Sequence, residues 1–250
     1  MVALIDNYDT YKFTILENVR YTIEGLLIVS ILGYLFYKSI FAVLVLSPLA
    51  LVYRRRKKKL LIEKRKWKLN QEFRDAIISI SAALNSGYSA ENAFYEGWKD
   101  LKLLYKDDSL IMQELSYIIN QINLNVTVEK ALSDFAKRTG TEDISNFAEV
   151  FNTAKRTGGD LIKIIHTTTK SISEKIEVKR DIITITTAKK YEADIMKGIP
   201  PAIIIYLNYS SPGYLNPLYN NILGIIVMTI LLITYLLAFK LSDKILDINI

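Results

Sequence analysis

The sequence predicts an all-α integral membrane protein, with a multi-helix cytoplasmic domain between N-terminal and C-terminal transmembrane helices. Three observations predict it. Half of the 250 residues are apolar, yet 23% are charged, an ordinary share for a soluble domain. The two classes are segregated: no charge falls between Gly25 and Tyr53 except Lys38, and none between Ile199 and Phe239. Residues 54–197 hold 27 of the 32 Lys and Arg, and their apolar positions recur at three and four residues, the spacing of one helix face.

Residues 1–22 form a polar, mixed N-terminal segment. It lacks the basic leader and the small-residue cleavage site of a signal peptide. Residues 23–53 form the N-terminal transmembrane region. A single crossing takes about 20 residues, so this block is long for one span and short for two. A lysine at the centre of a span costs about 2.5–3.5 kcal/mol, whereas at the outer turn of a hairpin Lys38 meets water and Ser39 can cap the second arm. Against the hairpin, Tyr37-Lys38-Ser39 holds no Gly or Pro and each arm is only about 15 residues, short of a full span. The residues alone leave one long span and a hairpin both open.

The run Arg54-Arg55-Arg56-Lys57-Lys58-Lys59 follows directly, and Lys64, Arg65, Lys66 and Lys68 continue it against the single acid Glu63. A basic patch can bind nucleic acid. One in immediate contact with an apolar segment instead marks the cytoplasmic side of a membrane and touches anionic lipid. The second reading is preferred, and no nucleic-acid partner is expected.

Residues 54–194 read as a helical body. Phe73, Ile77, Ile80 and Leu84 mark the face of a first helix over about 69–85. Gly87 suits the left-handed position after it, and Ser89 caps a second helix carrying Ala93, Phe94 and Trp98. Asp107 or Asp108 starts a third, with Leu110, Ile111, Leu115, Ile118 and Ile122. Thr127 starts a fourth, with Val128, Leu132 and Phe135. A fifth covers about 142–156, with Ile144, Phe147, Ala148 and Phe151. Asp160 caps a sixth that can run from Leu161 to about Met196, on the order of 50 Å. Its threonines are poor helix formers, so packing must hold it.

One pentapeptide occurs twice: Ala136-Lys137-Arg138-Thr139-Gly140 returns as Ala154-Lys155-Arg156-Thr157-Gly158. Two helices ending alike explain it, with cations at the negative end of the dipole and Gly as the stop. The same pattern also suits two basic ends facing one partner. Residues 195–239 form a C-terminal transmembrane pair. Pro200-Pro201 interrupts the first member, residues 208–221 make an outer loop, and Ile222–Phe239 is an apolar run of 18. With Lys240 and Arg54 both inside, residues 195–207 must also cross, unless they form a re-entrant segment. Residues 240–250 are then a cytoplasmic tail.

Several chemistries are excluded. There is no cysteine, and His166 is the one histidine, so two-imidazole zinc sites and thiolate sites are ruled out. No phosphate-binding P-loop, GxGxxG or GxSxG elbow occurs. The pair Gly158-Gly159 precedes an acidic helix start, which favours a turn over an anion site. The apolar segments lack the carboxylates of ion pathways, which disfavours a small transporter, the second functional reading. No enzyme activity, cofactor or metal is expected.

The ordered set Leu84-Asn85-Ser86-Gly87-Tyr88-Ser89-Ala90-Glu91-Asn92-Ala93, then Ala154-Lys155-Arg156-Thr157-Gly158-Gly159-Asp160-Leu161, then Ile195-Met196-Lys197-Gly198-Ile199-Pro200, then Ser211-Pro212-Gly213-Tyr214 between the closing spans, resembles the type II secretion system F domain. The nearest likeness is to the platform proteins of Tad/Flp pili. The resemblance covers roughly residues 25–245. It implies a multi-pass platform of the cytoplasmic membrane, without an active site, coupling a hexameric secretion ATPase to the movement of pilin subunits. It also implies two opening spans, and self-association or pairing with a related platform subunit. The structural turns it singles out are Gly87, Ser89, Gly140, Gly158, Gly159 and Pro200. The candidate ATPase-facing or lipid-facing cations are Arg54, Arg55, Arg56, Lys57, Lys58, Lys137, Arg138, Lys155 and Arg156.

Overall fold

Helix starts and stops in this sequence resolve into ten helices in the computed structural model, which describes residues 7–11, 13–157, 161–219 and 221–246. They are α1 (Ile15–Tyr37), α2 (Ile40–Leu46), α3 (Pro48–Asn85), α4 (Ala90–Leu101), α5 (Leu110–Asn123), α6 (Val128–Thr139), α7 (Glu142–Thr157), α8 (Leu161–Ser210), α9 (Asn216–Tyr219) and α10 (Ile222–Leu246). Among the described residues there is no strand. The chain divides into two units, one of residues 1–12 and 59–178, the other of residues 13–58 and 179–250.

The first unit is a helical body around one apolar core. Leu69, Phe73, Ile77, Ile80 and Leu84 line the inner face of α3 and are all buried. The ring of Phe73 meets Phe147 edge-on at 5.5 Å and Phe135 at 6.0 Å, and Phe94 meets Phe151 edge-on at 6.1 Å. Burying each such side chain contributes about 1.5–3 kcal/mol. α4 lies close against α3 because Gly97 has no side chain: a Cβ there would stand 2.8 Å from Ile80 Cγ1. Between the two helices the chain turns by a Schellman motif. Gly87 takes φ 88°, its N–H bonds the Leu84 carbonyl and the Tyr88 N–H bonds the Ala83 carbonyl. The Ser89 hydroxyl then accepts the Asn92 N–H at 3.3 Å. Gly140 ends α6 with φ 55°. Gly158, Gly159 and Asp160 lie outside the described residues.

The N-terminal segment belongs to this body. Tyr8 is 1% exposed. Its N–H bonds the Arg138 carbonyl at 3.0 Å, the Arg65 guanidinium lies 4.4 Å from its ring, and Lys66 pairs with Asp9. The sequence offers only a polar, mixed segment here, because its scattered aromatics, Tyr8, Tyr11, Phe13 and Tyr21, carry no helical periodicity.

The second unit contains the chain reversal at Lys38, which takes a left-handed conformation with φ 44°. Ser39 holds the N-cap position of α2 without a side-chain bond. On either side of the turn, Gly33 packs on Val43 and Gly25 on Ala50 and Tyr53. α1 therefore runs antiparallel to α2 and to the start of α3. The Tyr219 hydroxyl donates to the Leu35 carbonyl at 2.9 Å, one of the acceptors left open where α1 ends. The Lys38 ammonium lies 4.9 Å from the same ring. Two helices, α1 and α10, are long and apolar enough to cross a membrane. Only 28% and 17% of their apolar windows are buried within the structure, unlike core helices of a soluble protein.

Three expectations are corrected. The first body helix does not begin near residue 69: α3 starts at Pro48 and carries the basic run within it, since Arg and Lys are good helix formers. α5 starts from Ser109, not Asp107 or Asp108; the Ser109 side chain makes no cap bond, and the open Ile111 N–H of the first turn donates to Glu72 at 3.0 Å instead. Pro200 is not a turn. α8 continues through Pro200 and Pro201 to Ser210, although each interior proline costs about 3 kcal/mol. Part of that cost is offset by Tyr235, whose hydroxyl donates at 2.9 Å to the Lys197 carbonyl, the acceptor that the missing N–H of Pro201 would have met.

Replacing Tyr8 with Ala should destabilise the body by about 3 kcal/mol, as for other buried aromatics. Both tryptophans, Trp67 and Trp98, lie in the body, so their fluorescence during thermal unfolding of the detergent-solubilised chain reads this directly. An unchanged Tm would show that the segment does not hold the body.

Candidate functional site

The repeated pentapeptide places its cations in different surroundings. Arg138 turns inward. Its two terminal nitrogens donate to both oxygens of Glu114, at 2.9 and 2.7 Å, and its Nε donates to Asp134 at 2.9 Å. Glu114 is 0% exposed. Burial alone would lower the Arg138 pKa, but the bonds and charges of Glu114 and Asp134 hold it above the usual arginine range. Arg138 is thus a structural cation and not a surface one. Arg156, its counterpart, is exposed. The phase of α7 is set independently by Ile144, Phe147 and Phe151, so identical letters meet different neighbours.

Lys155 is also engaged, 3.1 Å from Glu129 and 3.6 Å from Glu91. Both acids open helices. For Glu91, the backbone bond at its helix start is the main cause that lowers its pKa, with Lys155 assisting. For Glu129, burial works against ionisation, but its backbone bond and Lys155 outweigh it and the pKa falls. Lys137 and Arg156 remain exposed, as does Lys130. Among the described residues none of these three has an ion-pair partner.

These three cations rim one groove. Two adjoining cavities of about 470 and 540 Å³ lie between α6 and α7 and share Glu129, Ser133 and Asn152. Small side chains, Ser133, Ala136, Ser145 and Ala148, form its floor. Lys130 and Lys137 stand seven residues apart on α6, with Arg156 across from them on α7. Short side chains between two helices leave room for a third element to approach. The Lys155–Glu129 pair is neutral overall and Glu149 offsets one of the three cations, which leaves the groove a smaller positive excess.

The cations of the basic run are placed by α3 and belong, through Lys58, to the second unit. Arg55 and Lys58 are exposed and Arg54 is half-buried. Arg56 reaches Asp243 of α10 at 3.7 Å. Lys57 lies 5.5 Å from the Tyr53 ring and 5.9 Å from the Tyr21 ring. Arg54, Arg55 and Lys58 remain the cations of this group without a described ion pair or ring contact. His166 opens on a shallow cavity of about 320 Å³ beside Ile78, Ser81 and Lys170. No carboxylate lines it, so nothing there orients the imidazole as a base. Among the described residues no three His, Cys, Asp or Glu side chains gather into a metal-sized cluster.

Comparisons with protein-family models, with curated proteins and with solved structures find no match to this chain.

Two outcomes follow for these charges. Glu114→Ala leaves Arg138 buried without its main partner and should destabilise the body by about 3–5 kcal/mol; the apolar pair Glu114→Leu with Arg138→Met should restore most of the Tm, because no lone charge is then buried. The lowered pKa values of Glu91 and Glu129 make a second contribution. It is complete above the unfolded value of about 4.3 and is lost as the pH falls through the lower folded values. Lys155→Met weakens both shifts, so the acid side of a Tm-against-pH curve should become flatter; an unchanged slope would show that Lys155 does not hold these acids.

Proposed function

We propose that this chain is a multi-pass platform of the cytoplasmic membrane that couples a hexameric secretion ATPase to the assembly of pilin subunits in a type II secretion or Tad/Flp-like pilus machine. The observation that carries the reading is one chain in which a charged helical body interrupts helices whose apolar surfaces are left uncovered. Exposed Leu, Ile and Val along α1 and α10 suit a lipid environment, whereas the body has a core of its own. The ordered motifs around Gly87, Gly158 and Pro200 add the family resemblance.

The topology we infer has four crossings, with residues 54–194 and both ends of the chain in the cytoplasm. The basic run Arg54–Lys59 marks the inner side. Tyr8 is packed into the same body that follows this run, so the N-terminal segment shares its side, and α1 and the segment 40–53 go out and return. Residues 195–207 and α10 make the second pair, with residues 211–219 outside. Arg54, Arg55 and Lys58 face anionic lipid headgroups. The α6–α7 groove, rimmed by Lys130, Lys137 and Arg156, is the face offered to the ATPase. Pilin subunits meet the membrane part, and the platform self-associates or pairs with a related subunit.

The test is co-purification of the full-length chain, in mild detergent, with the secretion ATPase encoded beside it. Binding is expected. The triple variant Lys130→Glu, Lys137→Glu, Arg156→Glu should weaken it roughly tenfold or more, while Lys170→Glu, elsewhere on the body, should leave it unchanged. No binding by the wild type at low and moderate salt overturns the platform reading; equal binding by the triple variant overturns the groove assignment alone. Topology is read separately. In right-side-out vesicles an impermeant maleimide should label Lys38→Cys and Ser211→Cys but not Thr10→Cys. Labelling at position 10 without labelling at position 38 would leave a single opening span.

A further inference from the structure

We propose that residues 198–201 of α8 form a hinge, held shut by a latch on α10 made of Tyr235, Phe239 and Asp243. Adjacent prolines remove the two N–H groups that would bond the carbonyls of Met196 and Lys197. The Lys197 carbonyl is nevertheless satisfied, by the Tyr235 hydroxyl at 2.9 Å. The side chain of the same residue is held too. Its ammonium lies 2.6 Å from Asp243 Oδ1 and 2.8 Å from Asp194 Oδ1, and 4.4 Å from the centre of the Phe239 ring. It is only 12% exposed. Arg56 approaches the second Asp243 oxygen at 3.7 Å. Backbone and side chain of one residue, Lys197, are therefore both fastened to one neighbouring helix, immediately before the weakest point of α8.

Gly198 is an independent sign. A Cβ built there meets nothing within 4 Å, and Gly198 is not among the positive-φ glycines. Neither packing nor backbone geometry calls for glycine at this position. What glycine does there is weaken the helix. Gly198, Pro200 and Pro201 thus put three helix-weakening residues within four positions, where sharp bends characteristically arise. With the latch closed, one of the two missing donors is replaced and α8 stays helical throughout. When Asp243 is drawn away from Lys197 by a competing cationic group, the Tyr235 contact loses its support, and residues 179–196 swing about the hinge relative to α10. This device stands whether or not the platform reading does.

The chain has no cysteine, so spin labels can be placed at will on the full-length protein in detergent or nanodiscs. One pair, Lys190→Cys with Leu241→Cys, spans the latch; a control pair, Tyr206→Cys with Ile226→Cys, lies on the far side of the prolines. All four positions are exposed. In the latched protein the 190–241 distance distribution should be narrow. Tyr235→Phe, and separately Asp243→Asn, should broaden it or shift it by about 6 Å, the travel of an arm of roughly ten residues through a bend of about 20–30°. Pro200→Ala with Pro201→Ala, added to Tyr235→Phe, should return the narrow distribution, because the helix then supplies its own donors. The 206–226 distance should not change, which separates hinge opening from unfolding. Identical 190–241 distributions in the wild type and both latch variants overturn the proposal, as does equal broadening at both pairs.

Discussion

A backbone carbonyl without a donor is the constraint around which the second unit is arranged. Water can satisfy such a group at a soluble surface, but among apolar helices its exposure costs several kcal/mol. The sequence creates this problem twice, at the end of α1 beside Lys38 and at the two prolines of α8. At each place a tyrosine answers one carbonyl: Tyr219 donates to Leu35, and Tyr235 donates to Lys197. In each case a lysine lies beside the repaired backbone and near an aromatic ring, Lys38 at Tyr219 and Lys197 at Phe239. The hydroxyls repair the backbone, and the rings and cations join helices that share little other polar chemistry.

The body solves a different problem, that of keeping a buried charge without exposing it. Glu114 is inaccessible, and Arg138 answers it with two parallel bonds, the geometry a planar guanidinium can supply and an ammonium cannot. That pair also fixes the C-terminal turn of α6, whose Arg138 carbonyl receives the Tyr8 N–H. The N-terminal segment, α5 and α6 therefore meet at one residue, Arg138, through its carbonyl and its guanidinium. The neighbouring groove keeps its cations on the rim, while its buried positions are held by the short side chains of Ala136 and Ala148.

Much of the body was legible because its signals are local and repeated. Phe73, Ile77, Ile80 and Leu84 share one face at helical spacing, and the turn at Gly87–Ser89 is set by residues that touch one another. What stayed hidden depends on distant partners. Nothing near Arg138 in the sequence says that Glu114 waits for it, so its resemblance to Arg156 suggested a shared surface role. Nothing near Pro200 shows that Tyr235 will supply a donor, so local rules predicted an interruption. Tyr8 is the extreme case, one buried ring in a polar stretch whose contacts lie far along the chain. The groove between α6 and α7 required knowing the phase of both helices at once.

The docking of Tyr8 also fixes an order of events during synthesis. The ring is made before the Arg138 carbonyl that receives its N–H, by on the order of 10 s at ordinary elongation rates. Until then the N-terminal segment has no resting place, while the α1–α2 hairpin that follows it is already made. The body is consequently closed by a segment made before the helices that receive it, like a clasp fitted before the box is built. A bulky fusion placed ahead of Tyr8 would burden that last step and leave the hairpin untouched, whereas the same fusion after α10 would spare it.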